Sequence, residues 1–165
     1  MIYRGFREDI YKEIAIASEN KHTVADVSYE RFIQVHSPKK IYAERIDNEA
    51  FLIGYRKKDG FRIVGMATRK EAQGKGHGTK LLLRLIRWCM ENGIARIETR
   101  TLSGKSFYQE KAGARVVGIR DGDYLMEIDV PMKKRSGDED MIHIVIGQSG
   151  GVKRHSSRPT SSENQ

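Results

Sequence analysis

Gln73-Gly74-Lys75-Gly76-His77-Gly78 stands between a strand-like run, Phe61-Arg62-Ile63-Val64-Gly65-Met66-Ala67-Thr68, and a helix-like run from Thr79 to Asn92. Polar residues of the helical run fall at Lys80, Arg84, Arg87 and Glu91, spaced four, three and four apart. They make one narrow stripe with apolar residues on every other face, so the spacing predicts a helix that is mostly buried. Gly93 stands where a left-handed C-terminal cap belongs. A buried helix leaves its first N–H groups without intrahelical partners. Glycines let that backbone come close to a ligand, and the helix dipole favours an anion there. A phosphate or pyrophosphate is the expected occupant; the alternative is a glycine-rich turn with no ligand.

The common phosphate loops do not match. A G-x-G-x-x-G turn that starts at Gly74 and Gly76 finds Thr79 in place of its third glycine. Gly104-Lys105-Ser106 has the end of a G-x-x-x-x-G-K-S loop, with Thr99 in place of the first glycine. The pattern that fits is Q/R-x-x-G-x-G/A, from Gln73 to Gly78. It resembles the pyrophosphate-binding motif of the GNAT superfamily of acyl-CoA N-acyltransferases. Phe107-Tyr108-Gln109-Glu110-Lys111-Ala112-Gly113-Ala114 is similar to a second signature of that family, a tyrosine-bearing helix ending in Gly-Ala or Gly-Phe. The resemblance covers about residues 1–130. It implies an α/β fold: a mixed, mostly antiparallel sheet of six to seven strands flanked by four helices, splayed between strands 4 and 5.

Composition sets the outer limits. The 165 residues are 38% apolar and 32% charged, which suits one globular domain with a real core. No apolar run approaches the roughly 20 residues of a membrane span. Residues 1–5 lead straight into a charged helix, with no apolar signal segment, so a cytoplasmic protein with no membrane partner is expected. The single cysteine, Cys89, reads as core. The net charge of +8 leaves a nucleic acid or another polyanion open as a partner, although a phosphate-rich cosubstrate accounts for part of it.

Taken in order, residues 1–5 read as a short first strand. Phe6 to Ser18 is a helix with apolar residues at Phe6, Ile10, Ile14 and Ala17. A second helix runs from Ser28, its N-cap, to Val35, where His36-Ser37-Pro38 stops it. A meander follows: strands at 41–46, 50–55 and 61–68, with turns at 47–49 and 57–60. Gly65 predicts a bulge in the third of these. Residues 94–100 form the next strand, Ser103 caps a helix over 104–111, and a hairpin of 114–119 and 124–130 closes the domain. Residues 131–165 form a basic tail with one apolar segment, Met141-Ile142-His143-Ile144-Val145-Ile146, and disorder is expected from about Gly147 onward. The apolar segment reads as an added edge strand or a dimer contact, so monomer and homodimer both stay open.

The resemblance also implies roles. Backbone amides of Gln73, Gly74, Lys75, Gly76, His77, Gly78 and Thr79 hold the pyrophosphate of acetyl-CoA. Lys75 adds charge or is simply solvated, and His77 reads as packing. Met66, Ala67 and Thr68 pair with the pantetheine arm as an extra strand. Tyr108 contacts the cofactor and protonates the departing thiolate; the alternative is a tyrosine that packs its helix on the sheet. Where many members carry an asparagine after the fifth strand this chain has Thr101, a further cofactor contact, and Gly104 replaces the following alanine. For the general base Glu44 is the candidate carried forward, with Glu98, His36 and a water chain beside it. No metal is expected. The function so implied is transfer of acetyl from acetyl-CoA to a primary amine, on a small molecule or a protein, directly in a ternary complex. The rival is a non-enzymatic or other-acyl protein on the same scaffold, acting on nucleic acid or another polyanion.

Overall fold

Residues 4–17 and 29–132 are described by the structure, a computed structural model. Alternation of apolar and polar side chains in residues 41–46 makes β1 (Ile41–Ile46), with Ile41, Ala43 and Ile46 buried. A tight turn with Asp47 and Asn48 both at positive φ returns the chain as β2 (Ala50–Lys57), and a second turn leads into β3 (Gly60–Thr68). After a short 3-10 turn comes α3 (His77–Glu91), then β4 (Arg96–Thr101), α4 (Lys105–Ala112), β5 (Arg115–Arg120) and β6 (Asp123–Asp129). Before the meander stand α1 (Arg4–Ala17) and α2 (Tyr29–Val35).

The six strands form one sheet in the order β1-β2-β3-β4-β6-β5. All neighbours are antiparallel except β3 and β4, which run parallel and pair only at Phe61 with Ile97 and Arg62 with Glu98. Between β2 and β3, Ile53 faces Gly65 while Gly54 faces Ile63, so Val64 is an extra residue. This is the bulge expected at Gly65. It bends β3 just past its last pairing with β4, and the two strands diverge.

The sheet separates two cores. Ile10, Tyr11 and Ile14 of α1 and Tyr29 and Phe32 of α2 cover one face. On the other lie Leu81, Leu82, Leu85 and Cys89 of α3, all fully buried. Burying each such leucine contributes about 1.5–3 kcal/mol. Lys80, Arg84, Arg87 and Glu91 form the exposed stripe of α3, which its polar spacing anticipated.

Four local expectations need correction. Arg4 and Gly5 are helical, so the first strand read over 1–5 is absent where the structure describes it, and residues 1–3 lie outside the described residues. α3 begins at His77, two residues before Thr79, because Gly76 supplies the left-handed turn at its start. The fifth-strand reading of 94–100 is displaced to Arg96–Thr101. Ser103 is not a cap: the Gly104 amide bonds instead to Thr101 Oγ1 at 2.8 Å. The Ser28 cap and the segment 141–146 lie outside the described residues.

Candidate active site

Past Arg62 the β4-facing edge of β3 has no strand partner among the described residues, through Ile63 to Thr68. A cleft of about 1160 Å³ opens along that edge. Met66, Ala67 and Thr68 form one wall, the end of β4 at Thr99 and Thr101 forms another, and Tyr108 of α4 lies between them. An extended ligand arm has there a row of backbone groups with which to pair as a strand would.

At one end of the cleft Gln73 and Gly78 mark the glycine loop. Gly74 and Gly76 have φ of 83° and 79°. A Cβ at either would meet nothing within 4 Å, so the backbone angle, and not space, selects glycine. The first helical bond runs from the Lys80 amide to the Gly76 carbonyl at 3.0 Å. Amides of Gly74, Gly76, His77, Gly78 and Thr79 therefore have no backbone acceptor among the described residues, and the helix has no side-chain cap. Five free donors at the positive end of a 15-residue helix form a receptor for an anion. Gln73 Nε2 donates to the Thr68 carbonyl at 3.4 Å and joins the loop to the end of β3.

Lys75 and His77 turn away from that receptor toward the β1–β2 turn. The Glu49 carboxylate there meets Lys75 Nζ at 3.0 Å and His77 Nε2 at 2.8 Å. The hydrogen bond from Lys75 holds the Glu49 carboxyl below its ordinary value. The Lys75 charge is thus engaged by Glu49 at the surface. His77 packs under the loop, with Nδ1 buried and without a hydrogen-bond partner among the described residues.

Tyr108 is only 5% exposed. Burial raises its pKa above the ordinary tyrosine value, and a side-chain hydrogen bond with Thr99 acts in the opposite direction. The phenol stays protonated at neutral pH, the form a proton donor needs. Phe107 packs edge-on against it at 5.3 Å and lies close to Gly78, so α4 is seated on the start of α3.

None of the three candidate bases borders the cleft. Glu44 is bound by Arg84 Nη1 at 2.6 Å and by the Tyr42 hydroxyl, beside α3. Both oxygens of Glu98 are held by Lys57 Nζ at 2.7 Å. His36 stacks on Tyr55 at 3.6 Å. The carboxylates that do border it are Glu13 of α1 and Glu71 of the 3-10 turn after β3. Glu13 is paired with Arg69 at 2.6 Å. Neither was singled out in the sequence, although the place of Arg69-Lys70-Glu71 directly after the β3 edge was a usable signal. Among the described residues no group of three or more His, Cys, Asp or Glu is placed to hold a metal, and no helix is long and apolar enough to cross a membrane.

Residues 8–114 match the model of the acetyltransferase (GNAT) family. No curated protein matches the chain. Solved structures similar to it include the ribosomal-protein-S18-alanine N-acetyltransferase of Escherichia coli, at 16% identity and TM-score 0.55, covering 79% of this chain and 93% of that one. The PaiA N-acetyltransferase of Thermoplasma acidophilum, in complex with coenzyme A, is 18% identical with TM-score 0.56, over 76% and 96% of the two chains. A Bacillus subtilis acetyltransferase in complex with CoA is 17% identical with TM-score 0.53, over 74% and 92%. At such identities the likeness is one of fold.

Proposed function

This chain belongs to the acetyltransferase (GNAT) family and is an acyltransferase, and from that premise we propose that it moves the acetyl group of acetyl-CoA to a primary amine within one ternary complex. The observation that carries the reading is the edge of β3 left unpaired among the described residues, followed through a short turn by a helix start with five amides that have no backbone acceptor there. Coenzyme A requires that combination: an anion receptor for its pyrophosphate, and a strand-like edge for its pantetheine arm. Neighbouring folds that hold coenzyme A support the choice of cosubstrate.

In this reading amides of Gly74, Gly76, His77, Gly78 and Thr79, with Gln73 beside them, hold the pyrophosphate. Met66, Ala67 and Thr68 receive the arm, and Thr101 closes the cleft opposite. The amine nitrogen forms a bond to the acetyl carbon, and the carbon–sulfur bond breaks. One proton leaves the nitrogen for solvent in the open cleft. Tyr108 gives its own to the sulfur, and solvent returns a proton to the phenolate. With ordinary values near 10 for a phenol and about 8.5 for a thiol, that delivery costs about 2 kcal/mol, and the burial that raises the Tyr108 pKa adds to it. Glu44, tied to Arg84 outside the cleft, has no part in this scheme. The catalytic unit is assigned to residues 1–130, and 131–165 is a basic appendage to it.

A screen of amine acceptors with labelled acetyl-CoA and the full chain tests the proposal. Label should pass to an amine, and Gly76→Asp should raise the acetyl-CoA concentration needed for that transfer by about 30-fold. An unchanged acetyl-CoA requirement in a folded Gly76→Asp protein would show that the loop is not where the cosubstrate sits.

A further inference from the structure

Two positions at which this chain departs from the family pattern, Thr101 and Gly104, stand against each other. Thr101 ends β4, and its Oγ1 accepts the Gly104 N–H at 2.8 Å. A Cβ at position 104 would lie 2.8 Å from that oxygen and 3.3 Å from Cε2 of Tyr108. The φ of Gly104 is −87°, which any residue adopts, so it is space that disfavours a side chain: the Thr101 hydroxyl would have to swing away and the Tyr108 ring give by a few tenths of an ångström. The Gly104 carbonyl in turn accepts the Tyr108 N–H at 3.1 Å. The backbone that carries the tyrosine thus hangs from Gly104, and its ring lies over the place a methyl group would fill. α4 has only eight residues and, among the described residues, no side-chain cap; besides Phe107 on α3 and Lys105 over the Tyr124 ring, the Thr101–Gly104 bond fixes its start. The two departures are one device: the threonine hydroxyl needs the glycine, and the ring uses the room that remains.

We propose that Thr101 and Gly104 are a positioning pair that sets the Tyr108 ring against the open edge of β3. The inference rests on the acid role given to Tyr108. A proton donor must lie within hydrogen-bond reach of its target, and a displacement of about 1 Å costs up to ~100-fold in rate. An alanine at 104 must push the ring or break the Thr101 bond. Thr101→Val removes the acceptor and leaves the glycine. Thr101→Ser keeps both.

The test is release of free thiol from acetyl-CoA by slow hydrolysis, with full chains whose folding is checked by melting. Tyr108→Phe should lower turnover about 100-fold. Gly104→Ala should lower kcat roughly tenfold or more with KM for acetyl-CoA nearly unchanged. Thr101→Val should lose part of the rate and Thr101→Ser recover most of that loss. In the Tyr108→Phe background Gly104→Ala should have no further effect, because it acts through the hydroxyl already removed. An equal loss in both backgrounds, or a Gly104→Ala protein with parent turnover, overturns the pair while leaving the acid role intact. Should Gly104→Ala not fold, parent turnover in Thr101→Val overturns it instead. Parent turnover in Tyr108→Phe overturns the acid role, and the pair with it.

Discussion

Gly76 allows charge to be separated from shape at the centre of the proposed anion receptor. It is exposed, at φ 79°, with nothing within 4 Å of the place a Cβ would take. Asp and Asn have nearly the same shape, and both tolerate the left-handed region better than other side chains. Either substitution should cost about 1 kcal/mol of stability, or roughly 2–4 °C in melting temperature for a chain of this size. Only Asp places a carboxylate beside a bound pyrophosphate. Two unit charges about 4 Å apart repel by ~1 kcal/mol in a water-like medium, so two phosphate charges give about 2 kcal/mol, or ~30-fold in affinity. Calorimetric titration of acetyl-CoA into Gly76→Asp and Gly76→Asn should therefore differ by about 30-fold, and by less at high salt. Equal affinities in two folded proteins would refute the placement of the anion.

Removing the phenolic proton with Tyr108→Phe should leave the affinity for acetyl-CoA almost unchanged while turnover falls about 100-fold, since the group acts on charge that develops during reaction. Desolvation, assisted by Lys40, lowers the pKa of His36, so the unfolded chain binds a proton first as pH falls. Stability from this source is complete above about pH 6.5 and declines below it, down to the folded-state value. Thermal melts across that range should show a shallower decline for His36→Asn. Deleting residues 147–165, which are rich in Ser, Gly and basic residues, should spare both melting temperature and acetyl-CoA affinity; a large drop in either would assign the tail a packed role.

The fold was legible wherever periodicity was strong. The polar stripe of α3 marked its buried faces, and Gly65 marked the bulge that parts β3 from β4. Element ends were harder to read. Nothing local distinguishes His77 as the first helical residue until the left-handed Gly76 is known, and the bond from Gly104 to Thr101 depends on a hydroxyl reaching three residues ahead. Side-chain chemistry was least legible. The carboxylate of Glu44 sits on the α3 side of the sheet, and Lys75 is drawn to Glu49 across 26 positions of sequence. Such pairings follow from tertiary packing, which no spacing rule encodes. Glu13 and Glu71 reach the cleft because α1 and the turn after β3 meet at its mouth, and that juxtaposition appears only in three dimensions.

Amide hydrogen exchange on the full chain, with and without saturating acetyl-CoA, tests the central claim most directly. Bound cosubstrate should slow exchange along the β4-facing edge of β3 over residues 63–68, and at Gly74 and residues 76–79, whose amides have no backbone acceptor among the described residues. β1 around Glu44, across the sheet, should show no such change. Binding without protection at those amides, or no binding at all, would contradict the account.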